Sequence, residues 1–508
     1  MLGATGLLLL AAGVVWAGRN QQPGHHANNA TDLRLGAPFT DHMVVQLDRP
    51  VRVWGWDRPG QAVRVDVGGH AATAHTDAEG FWRVTLPALT RPGPLGFAVR
   101  GSSEAVLDDV VGGDVWWCSG QSNMEWPLKR SEGLEAVTDG GPRADLRVHH
   151  VPARASDAPA HQSAGRWARF DPERPTATGG TGTSAVAWFF ADALLKVRPG
   201  RPIGVVVAAR GGSNLQAWVS PETAEATTSR AALDTLFAQD QATYERQVAR
   251  WHTAGRVGEK PWPANIQPHH RWSHLYHGMT TPYVGLTVRG VLWYQGEANV
   301  RRPEAHTDLF ARFIEQTRGD FADADLPFLF VQLPAYESPW HPWQAFRESQ
   351  RRSAATLPNV HMAVVTDAGE AEDLHPPDKA TVGERLALLA RRHVYGEDVT
   401  ADAPEPREVH VDGDVLRIRF RNVGDGLESL ANGGGLRGFD LIDQAGASHA
   451  VPPVDARVED AQTVRLALPP ALHASTVREL RYGYMSVPPT DLRNSVGLPA
   501  GPFCEPVR

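Results

Sequence analysis

Ser122 is the strongest candidate for a nucleophile in this sequence. It lies in the run Gly120-Gln121-Ser122-Asn123-Met124, which follows a short apolar stretch typical of a buried strand. A serine on a tight turn between a strand and a helix can present its hydroxyl to an ester carbonyl. Met124 stands where the G-x-S-x-G elbow has its second glycine, so an ordinary α/β-hydrolase is not the best interpretation.

His375 is the candidate general base for this serine. It lies in the run Asp373-Leu374-His375-Pro376-Pro377, just before a predicted helix. On an extended segment a carboxylate and an imidazole two residues apart point to the same side, and prolines restrict the backbone there. Asp373 is therefore predicted to orient His375, which accepts the proton of Ser122.

Two further strand ends supply candidate donors for an oxyanion hole. The run Arg210-Gly211-Gly212-Ser213-Asn214 has paired glycines, which let backbone N–H groups approach a ligand closely. The run Trp293-Tyr294-Gln295-Gly296-Glu297 places a side-chain amide at the end of another apolar stretch. We predict an oxyanion hole formed by Ser122, Gly212 and Gln295.

Side chains near these segments are candidates for contacts with a substrate. Aromatic faces stack on sugar rings, although buried tryptophans more often fill a core. We predict that Trp126 and Trp218 form walls of the site and that Glu297 binds substrate. No metal is predicted, because the histidines of segment 269–274 have no cysteine nearby and no H-E-x-x-H pattern.

The elements that must position these residues form an α/β pattern in the middle of the chain. Between about 114 and 396, apolar runs alternate with helical patterns, which is typical of a parallel sheet with helices on its faces. Ligands of such sheets bind at the carboxyl ends of the strands, where the candidate residues lie. The predicted strands are Asp114–Cys118, Ile203–Ala209, Gly290–Tyr294, Phe328–Leu333 and His361–Asp367, and the predicted helices include Ser184–Lys196 and Pro377–Tyr395.

Short β-type runs flank this region on both sides. Apolar and polar residues alternate within them, which predicts small antiparallel β domains. The predicted division is an N-terminal β domain at 31–110, a catalytic domain at 111–398 with a helical insertion near 221–256, and a C-terminal β domain at 399–508.

The first 18 residues are apolar and uncharged, with small residues around Ala17 that suit signal-peptidase cleavage. We expect export and a secreted or periplasmic location, with an uncleaved anchor as the alternative reading of segment 1–18. The rest of the chain has no apolar run long enough to span a bilayer, so no stable membrane association is expected once this segment is removed.

The composition excludes several classes of protein. The chain has 508 residues, and its 50 Lys and Arg against 58 Asp and Glu give a net charge of −8. Without a run of basic residues that could neutralise a phosphate backbone, no nucleic acid partner is expected. Two cysteines are too few for a disulfide framework or a cysteine-rich metal cluster. The composition does not predict an oligomeric state.

Three segments resemble the signature blocks of the sialate O-acetylesterase family, a branch of the SGNH (GDSL-like) hydrolases. They are Cys118-Ser119-Gly120-Gln121-Ser122-Asn123-Met124-Glu125, Trp293-Tyr294-Gln295-Gly296-Glu297-Ala298-Asn299 and Asp373-Leu374-His375-Pro376. Weaker similarity extends from Met43-Val44-Val45-Gln46 to Gly497-Leu498-Pro499-Ala500-Gly501-Pro502-Phe503 and so covers most of the chain.

The resemblance implies an α/β fold with an SGNH-type three-layer α/β/α catalytic domain between N-terminal and C-terminal β-sandwich-like domains. It implies a carboxylic ester hydrolase that removes O-acetyl groups through an acetyl-enzyme, without a metal or cofactor. Ser122 matches the family's nucleophile and His375 its base. Many SGNH enzymes carry the acid three residues before the histidine, so Glu372 or Asp373 orients His375, or the enzyme works as a Ser–His dyad.

The expected substrate is O-acetylated sialic acid or a related acetylated sugar or glycan. One alternative is an acetylesterase acting on a plant polysaccharide such as xylan or pectin. An alternative of another class is a non-catalytic carbohydrate-binding protein. The acetyl group determines the catalytic residues, whereas loops recognise the rest of the sugar, so the catalytic motifs alone do not separate the two substrates.

Overall fold

The computed structural model describes residues 32–338, 342–431, 435–470 and 472–507. The predicted signal segment 1–18 lies outside the described residues. Within these four ranges, none of the helices combines the length and the apolar character needed to cross a membrane.

The N-terminal region consists of short strands that form two small sheets. One sheet contains β1, β3 and β6, and the other contains β4, β5, β7 and the first part of β8; the pairings named here are antiparallel. Valine and tryptophan side chains on their inner faces, such as Val53 and Trp82, form the core between them. The strands are β1 (Arg34–Leu35), β2 (Val44–Gln46), β3 (Val51–Trp56), β4 (Ala62–Val67), β5 (His70–His75), β6 (Phe81–Leu86), β7 (Gly93–Arg100) and β8 (Glu104–Gly120).

β8 is 17 residues long and belongs to two regions of the fold. Its first part pairs antiparallel with β7. From Asp114 to Gly120 it pairs in parallel with Ile203–Ala209 on one side, and from Trp116 onward with Gly290–Tyr294 on the other. The domain boundary predicted at 110/111 therefore falls inside one continuous strand.

A buried carboxylate marks the point where β8 passes into the central sheet. Asp114 is 0% exposed and accepts hydrogen bonds from Arg201 at 2.7 Å, Arg289 at 2.8 Å, Gln46 at 3.0 Å and Tyr395 at 3.0 Å. Burial opposes ionisation of this group, but the bonds and charges of the two arginines lower its pKa. A buried charge is tolerated here because it is fully paired.

The central region alternates strands and helices. Its sheet has the strand order β10-β9-β11-β8-β12-β13-β14, and every neighbouring pair is parallel except β10 and β9. The elements are α1 (Ser122–Glu125), α2 (Leu134–Asp139), β9 (Arg143–His150), β10 (Trp167–Phe170), α3 (Ala185–Val197), β11 (Ile203–Ala209), α4 (Pro221–Ala226), α5 (Arg230–Thr253), β12 (Gly290–Tyr294), α6 (Pro303–Asp320), β13 (Phe328–Val331), α7 (Trp343–Thr356), β14 (Val360–Ala363) and α8 (Ala380–His393).

Helices cover both faces of this sheet, because successive side chains of a buried strand point to opposite sides. Leu292 of β12 packs in the same cluster as residues of α3 and α8. The next residue, Trp293, lies 4.5 Å from Phe313 of α6 between ring centroids. The α/β class is confirmed, and the assignment to the three-layer SGNH type stays a prediction.

Most of the predicted central elements are present with small changes in their bounds. The hydroxyl of Ser184 accepts the N–H of Ala187 at 3.1 Å, so it caps α3 as expected. The strand predicted at 361–367 ends earlier because Thr366–Ala368 forms a 3-10 turn. The helix predicted from Pro377 starts at Ala380, and the carboxylate of Asp378 accepts the N–H of Thr381 at 3.0 Å. Two helices, α4 and α5, occupy segment 221–256.

The C-terminal region is again built of strands, and α7 holds it in place. Arg347 donates to the backbone of Met485 and Ser486, and Arg351 forms ion pairs with Glu405 and Glu505. The strands are β15 (Glu405–Asp412), β16 (Val415–Arg421), β17 (Leu427–Ser429), β18 (Phe439–Asp443), β19 (Ser448–Ala450), β20 (Ala456–Asp460), β21 (Thr463–Ala467), β22 (Val477–Tyr482), β23 (Leu492–Asn494) and β24 (Phe503–Pro506). They form sheets of order β15-β16-β21-β20, β17-β23 and β19-β18-β22-β24.

Candidate active site

Ser122 and His375 meet at the carboxyl edge of the central sheet. β8 ends at Gly120, whose φ of +144° suits glycine, and a Cβ there would lie 2.1 Å from the carbonyl oxygen of Tyr294. Ser122 is then the first residue of α1. Its Oγ lies 2.8 Å from Nε2 of His375, and both residues are partly exposed. The predicted nucleophile and base are therefore in hydrogen-bond contact.

The ring of His375 packs against Trp126 and lies close to positive charge. The two rings are stacked, with centroids 5.2 Å apart and planes at 13°. Burial and the ammonium of Lys379 lower the pKa of His375. The carboxylate of Asp373 raises this pKa, and the guanidinium of Arg130 lowers it. His375 is therefore neutral, as a general base must be, down to a lower pH than an ordinary histidine.

Asp373 holds the backbone of His375 in this structure. Its Oδ1 accepts the N–H of His375 at 2.7 Å, because the segment bends here instead of running extended. Within the described ranges, no carboxylate is hydrogen-bonded to the imidazole, and Glu372 is exposed and forms no hydrogen bond or ion pair. The extended geometry from which we predicted the orienting role of Asp373 is absent, and the choice between an orienting acid and a Ser–His dyad stays a prediction.

A buried lysine and asparagine hold the loop that carries His375. Lys379 is 0% exposed, and its Nζ donates to Oδ1 of Asn123 at 2.7 Å and to the carbonyl of Pro376. Asn123 in turn donates to the carbonyl of Leu374 at 3.0 Å. The carbonyls on either side of His375 are thus both bound to fixed donors. The desolvation of Lys379 lowers its pKa to about 8.

The sequence patterns did not point to Asn123 or Lys379. Asn123 follows the nucleophile directly and so lies inside the first signature block. Lys379 carries no such signal, because a lysine near a helix start is ordinarily solvated.

Glu297 belongs to the same network, and the prediction that it binds substrate is corrected. One of its carboxylate oxygens accepts from Asn123, and the other is buried without a partner in the described part of the chain. Burial raises the pKa of this carboxyl group. Both oxygens are thus directed into the protein and away from a sugar.

Two backbone N–H groups beside Ser122 are available to an oxyanion. Ser122 itself opens α1, where the first N–H groups have no intrahelical acceptor. Gly212 has a φ of +73°, and its N–H forms no hydrogen bond within the described residues. The neighbouring N–H of Gly211 is already donated to the carboxylate of Glu125. The loop lies close to the nucleophile, since a Cβ on Gly211 would be 3.6 Å from Cβ of Ser122.

Gln295 supports this loop, and its predicted role as an oxyanion donor is corrected. It is 1% exposed, and its Nε2 donates to the carbonyl of Ser213 at 3.3 Å and to Oδ1 of Asn299 at 2.7 Å. Both amide hydrogens are therefore bound to protein acceptors. Gln295 therefore holds the Gly212 loop through the carbonyl of Ser213.

His270 fixes the same loop from the other side. Its Nδ1 accepts the backbone N–H of Gln267 at 3.1 Å, so the proton is on Nε2, which donates to the carbonyl of Gly212 at 2.8 Å. Both ring nitrogens are occupied by backbone groups, which suits a positioning residue.

Trp218 is buried, and its predicted role as a wall of the site is wrong. It is 1% exposed, its Nε1 donates to Oγ of Ser213 at 3.0 Å, and its ring packs edge-on against Trp293. The 3-10 turn Leu215–Trp218 directs this side chain under the loop. Trp126, by contrast, is partly exposed beside His375.

Arg210 lies beside the site and close to Glu125: burial raises the pKa of that carboxyl group, and the charge of Arg210 acts against this rise. Its backbone N–H donates to the carbonyl of Gly120 at 3.1 Å, which places it next to the turn that carries Ser122. Its side chain is partly exposed and forms no hydrogen bond or ion pair with the described residues. The site thus brings together the side chains of Ser122 and His375, backbone N–H groups that have no acceptor among the described residues, and a partly exposed guanidinium.

Comparisons with known proteins identify the family of this chain. The model of the family described as carbohydrate esterase, sialic acid-specific acetylesterase matches residues 112–391. The chain is 28% identical over 430 residues to the sialate O-acetylesterase of Mus musculus, covering 75% of this chain and 77% of the relative. It is 26% identical over 442 residues to that of Homo sapiens, covering 78% and 76%.

A solved structure extends the comparison to nearly the whole chain. The carbohydrate acetylesterase from Xanthomonas citri has a TM-score of 0.76 and 31% identity, over 93% of this chain and 99% of that one. The family predicted from the signature blocks is confirmed. The chain belongs to the carbohydrate esterase, sialic acid-specific acetylesterase family, and it is a carboxylic ester hydrolase that acts on acetylated sugars.

Proposed function

We propose that the enzyme is a serine esterase that forms an acetyl-enzyme at Ser122. The observation that carries this proposal is the 2.8 Å contact between Oγ of Ser122 and Nε2 of His375. A nucleophile and its base at hydrogen-bond distance are the minimum arrangement for covalent acyl transfer.

The reaction proceeds in two steps. His375 accepts the proton of Ser122 as Oγ bonds to the acetyl carbon, and the N–H groups of Ser122 and Gly212 face the oxygen that becomes negative. The C–O bond to the sugar then breaks, and the sugar oxygen takes the proton from His375. Water, deprotonated by the same imidazole, then attacks the acetyl carbon. The bond between this carbon and Oγ breaks, Oγ takes the proton back from His375, and acetate is released.

We further propose that the sugar is sialic acid or a related acidic sugar. Sialic acid carries a carboxylate, and the guanidinium of Arg210, which is partly exposed beside Ser122 and forms no hydrogen bond with the described residues, is suited to bind it. The curated relatives are sialate O-acetylesterases. A neutral polysaccharide such as xylan has no carboxylate for this guanidinium to bind, so it is the second candidate.

Acetate release from O-acetylated sialic acid and from acetylated xylan, measured in parallel, tests the substrate class. We expect sialic acid to be preferred and Arg210→Gln to raise its KM roughly 10- to 100-fold, the effect of a lost charge-assisted hydrogen bond. A small neutral acetate ester should react equally with both proteins. Arg407→Gln, at an exposed arginine of the C-terminal region, is the matched control. Faster release from xylan, with no effect of Arg210→Gln, would move the assignment to plant polysaccharide.

The acidic limb of the pH–rate profile should move in opposite directions in two variants. Activity falls as pH drops through the pKa of His375, because the base must be neutral. Asp373→Asn removes a charge that raises this pKa, so the limb should move to lower pH. Arg130→Gln removes a charge that lowers it, so the limb should move to higher pH. The measurement is kcat/KM as a function of pH.

The same variants separate a dyad from a triad. Asparagine can still accept the N–H of His375, so Asp373→Asn should lower kcat by less than about 10-fold, whereas an essential orienting acid would cost about 10⁴-fold. Glu372→Gln is the matched control and should change nothing, because this side chain is exposed. A loss of 10³-fold or more in either variant would overturn the dyad.

The proposal also includes export and the layered catalytic domain. The apolar first 18 residues support secretion or a periplasmic location. Helices on both faces of a parallel sheet support the SGNH-type three-layer arrangement. Fractionation of the producing cells, followed by the mass of the recovered protein, tests whether segment 1–18 has been removed.

A further inference from the structure

Two histidines and an aspartate meet at a place far from Ser122 in the sheet. His361 is on β14, His393 ends α8, and Asp402 lies in the segment that leads to β15. One donor nitrogen from each imidazole and one carboxylate oxygen all lie within 4.8 Å of one another. We call these three residues the His–His–Asp cluster.

We propose that the His–His–Asp cluster binds a divalent transition-metal ion such as Zn²⁺. Two neutral imidazoles and a carboxylate form a donor set that Zn²⁺ uses in proteins, with a water molecule completing four-coordination. The set contains no thiolate, and neither cysteine of the chain belongs to it. Hard cations such as Mg²⁺ and Ca²⁺ prefer oxygen ligands, so the two imidazoles favour a transition metal.

The contacts within the cluster bring the donors close together. Nε2 of His393 lies 2.9 Å from the carboxylate of Asp402. The rings of His361 and His393 are stacked, with centroids 3.6 Å apart and planes at 12°. Nε2 of His361 also lies 3.4 Å from Oδ1 of Asn359.

The surroundings leave room for the rings to turn toward an ion and for a water molecule. His361 and Asp402 line a cavity of about 260 Å³ between the catalytic and C-terminal regions, together with residues of α7 and of segment 402–406. Tetrahedral ligands at about 2.1 Å from zinc are roughly 3.4 Å apart. The donors reach this spacing by rotation of partly exposed side chains, which separates the stacked rings.

The position of the cluster indicates a structural ion. His361 is the second residue of β14 and so lies near its amino end, whereas Ser122 follows the carboxyl end of β8. α8 begins just after the His375 loop and runs for 14 residues, about 21 Å, before His393. An ion here would join β14, α8 and the segment entering the C-terminal region, away from the reacting ester.

Zinc binding to the full chain, after removal of metal with EDTA, tests the proposal. Calorimetric titration with Zn²⁺ should give one site per chain that is lost or weakened at least about 10-fold in His361→Gln and in Asp402→Asn. Zn²⁺ should raise the Tm of the wild-type protein and not that of the variants. With Co²⁺ as the probe, the visible absorption of a tetrahedral ion should appear only in the wild type.

Two controls make the outcome decisive. His449 pairs with Asp443 at 2.9 Å as His393 does with Asp402, but it belongs to no three-donor group among the described residues, so His449→Gln should bind Zn²⁺ normally. Unchanged acetate release by His361→Gln and Asp402→Asn shows that they are folded. Absence of stoichiometric binding to the wild type, or equal binding by His361→Gln and Asp402→Asn, would overturn the proposal.

Discussion

Ser122→Ala is expected to reduce the rate of acetate release by about 10⁴- to 10⁶-fold, the range measured when a serine nucleophile is removed from a hydrolase. In the proposed mechanism the hydroxyl bonds to the acetyl carbon. His375, its only hydrogen-bond partner among the described side chains, has no proton to accept in this variant. KM should change little, because a methyl-sized side chain leaves the walls of the site in place. The measurement is kcat with the best of the acetylated sugars.

The matched control for this variant is Ser119→Ala. Ser119 lies three residues earlier on β8, and its hydroxyl donates to the carbonyl of Ala208 at 2.7 Å without facing the site. Its loss should leave kcat within a few-fold of the wild type. Rapid quenching of the wild type should also trap one acetyl group on the peptide that contains Ser122. A Ser122→Ala protein with near-normal turnover would contradict the acetyl-enzyme.

Lys379→Met is expected to lower kcat about 10²- to 10³-fold. The ammonium holds the carbonyl after His375 directly and the carbonyl before it through Asn123, and a displacement of a catalytic group by about 1 Å can cost 10²-fold. KM should be nearly unchanged, because Lys379 is buried. Loss of its positive charge raises the pKa of His375, so the acidic limb should also move to higher pH.

A stability measurement separates this positioning role from simple damage. Methionine leaves buried oxygens without a donor, at about 1–3 kcal/mol each, so the free energy of unfolding should also fall. Lys196→Met removes an exposed lysine paired with Asp192 and should change neither kcat nor the pH limb. Asn123→Ala should also lower kcat. The double variant of Asn123→Ala and Lys379→Met should lower kcat little further. A loss of stability without a change in kcat or in the pH limb would assign Lys379 a structural role alone.

The positions of Ser122, His375 and the loops around them could be predicted because their signals are local. Ser122 follows an apolar strand that ends in Gly120. His375 is followed by two prolines and then by a helix. The parallel sheet then brings these ends to one edge. The alternation of apolar and polar residues likewise predicted that strands make up the N-terminal and C-terminal regions, although not the number of strands.

The remaining errors come from the direction of side chains, which depends on contacts distant in sequence. Trp218 follows the Gly212 loop closely, yet a 3-10 turn directs it into the core against Trp293. Glu297 follows the end of β12, but its carboxylate accepts a hydrogen bond from Asn123, which is distant in sequence. Asp373 was expected on extended backbone, and a bend makes it accept a backbone N–H. The spacing of residues along the sequence does not identify these side-chain contacts.

The continuous strand β8 limits how this enzyme can be divided or recombined. A cut near residue 110 would divide β8 and leave the catalytic part with a shortened central strand. It would also remove β2, which pairs with Val111–Gly113. Gln46, which donates a hydrogen bond to Asp114, would be lost with β2. The freed edge would expose unpaired backbone groups that favour aggregation. A chimera that exchanges the N-terminal region with that of a relative should therefore keep β2, β7 and β8 from one parent.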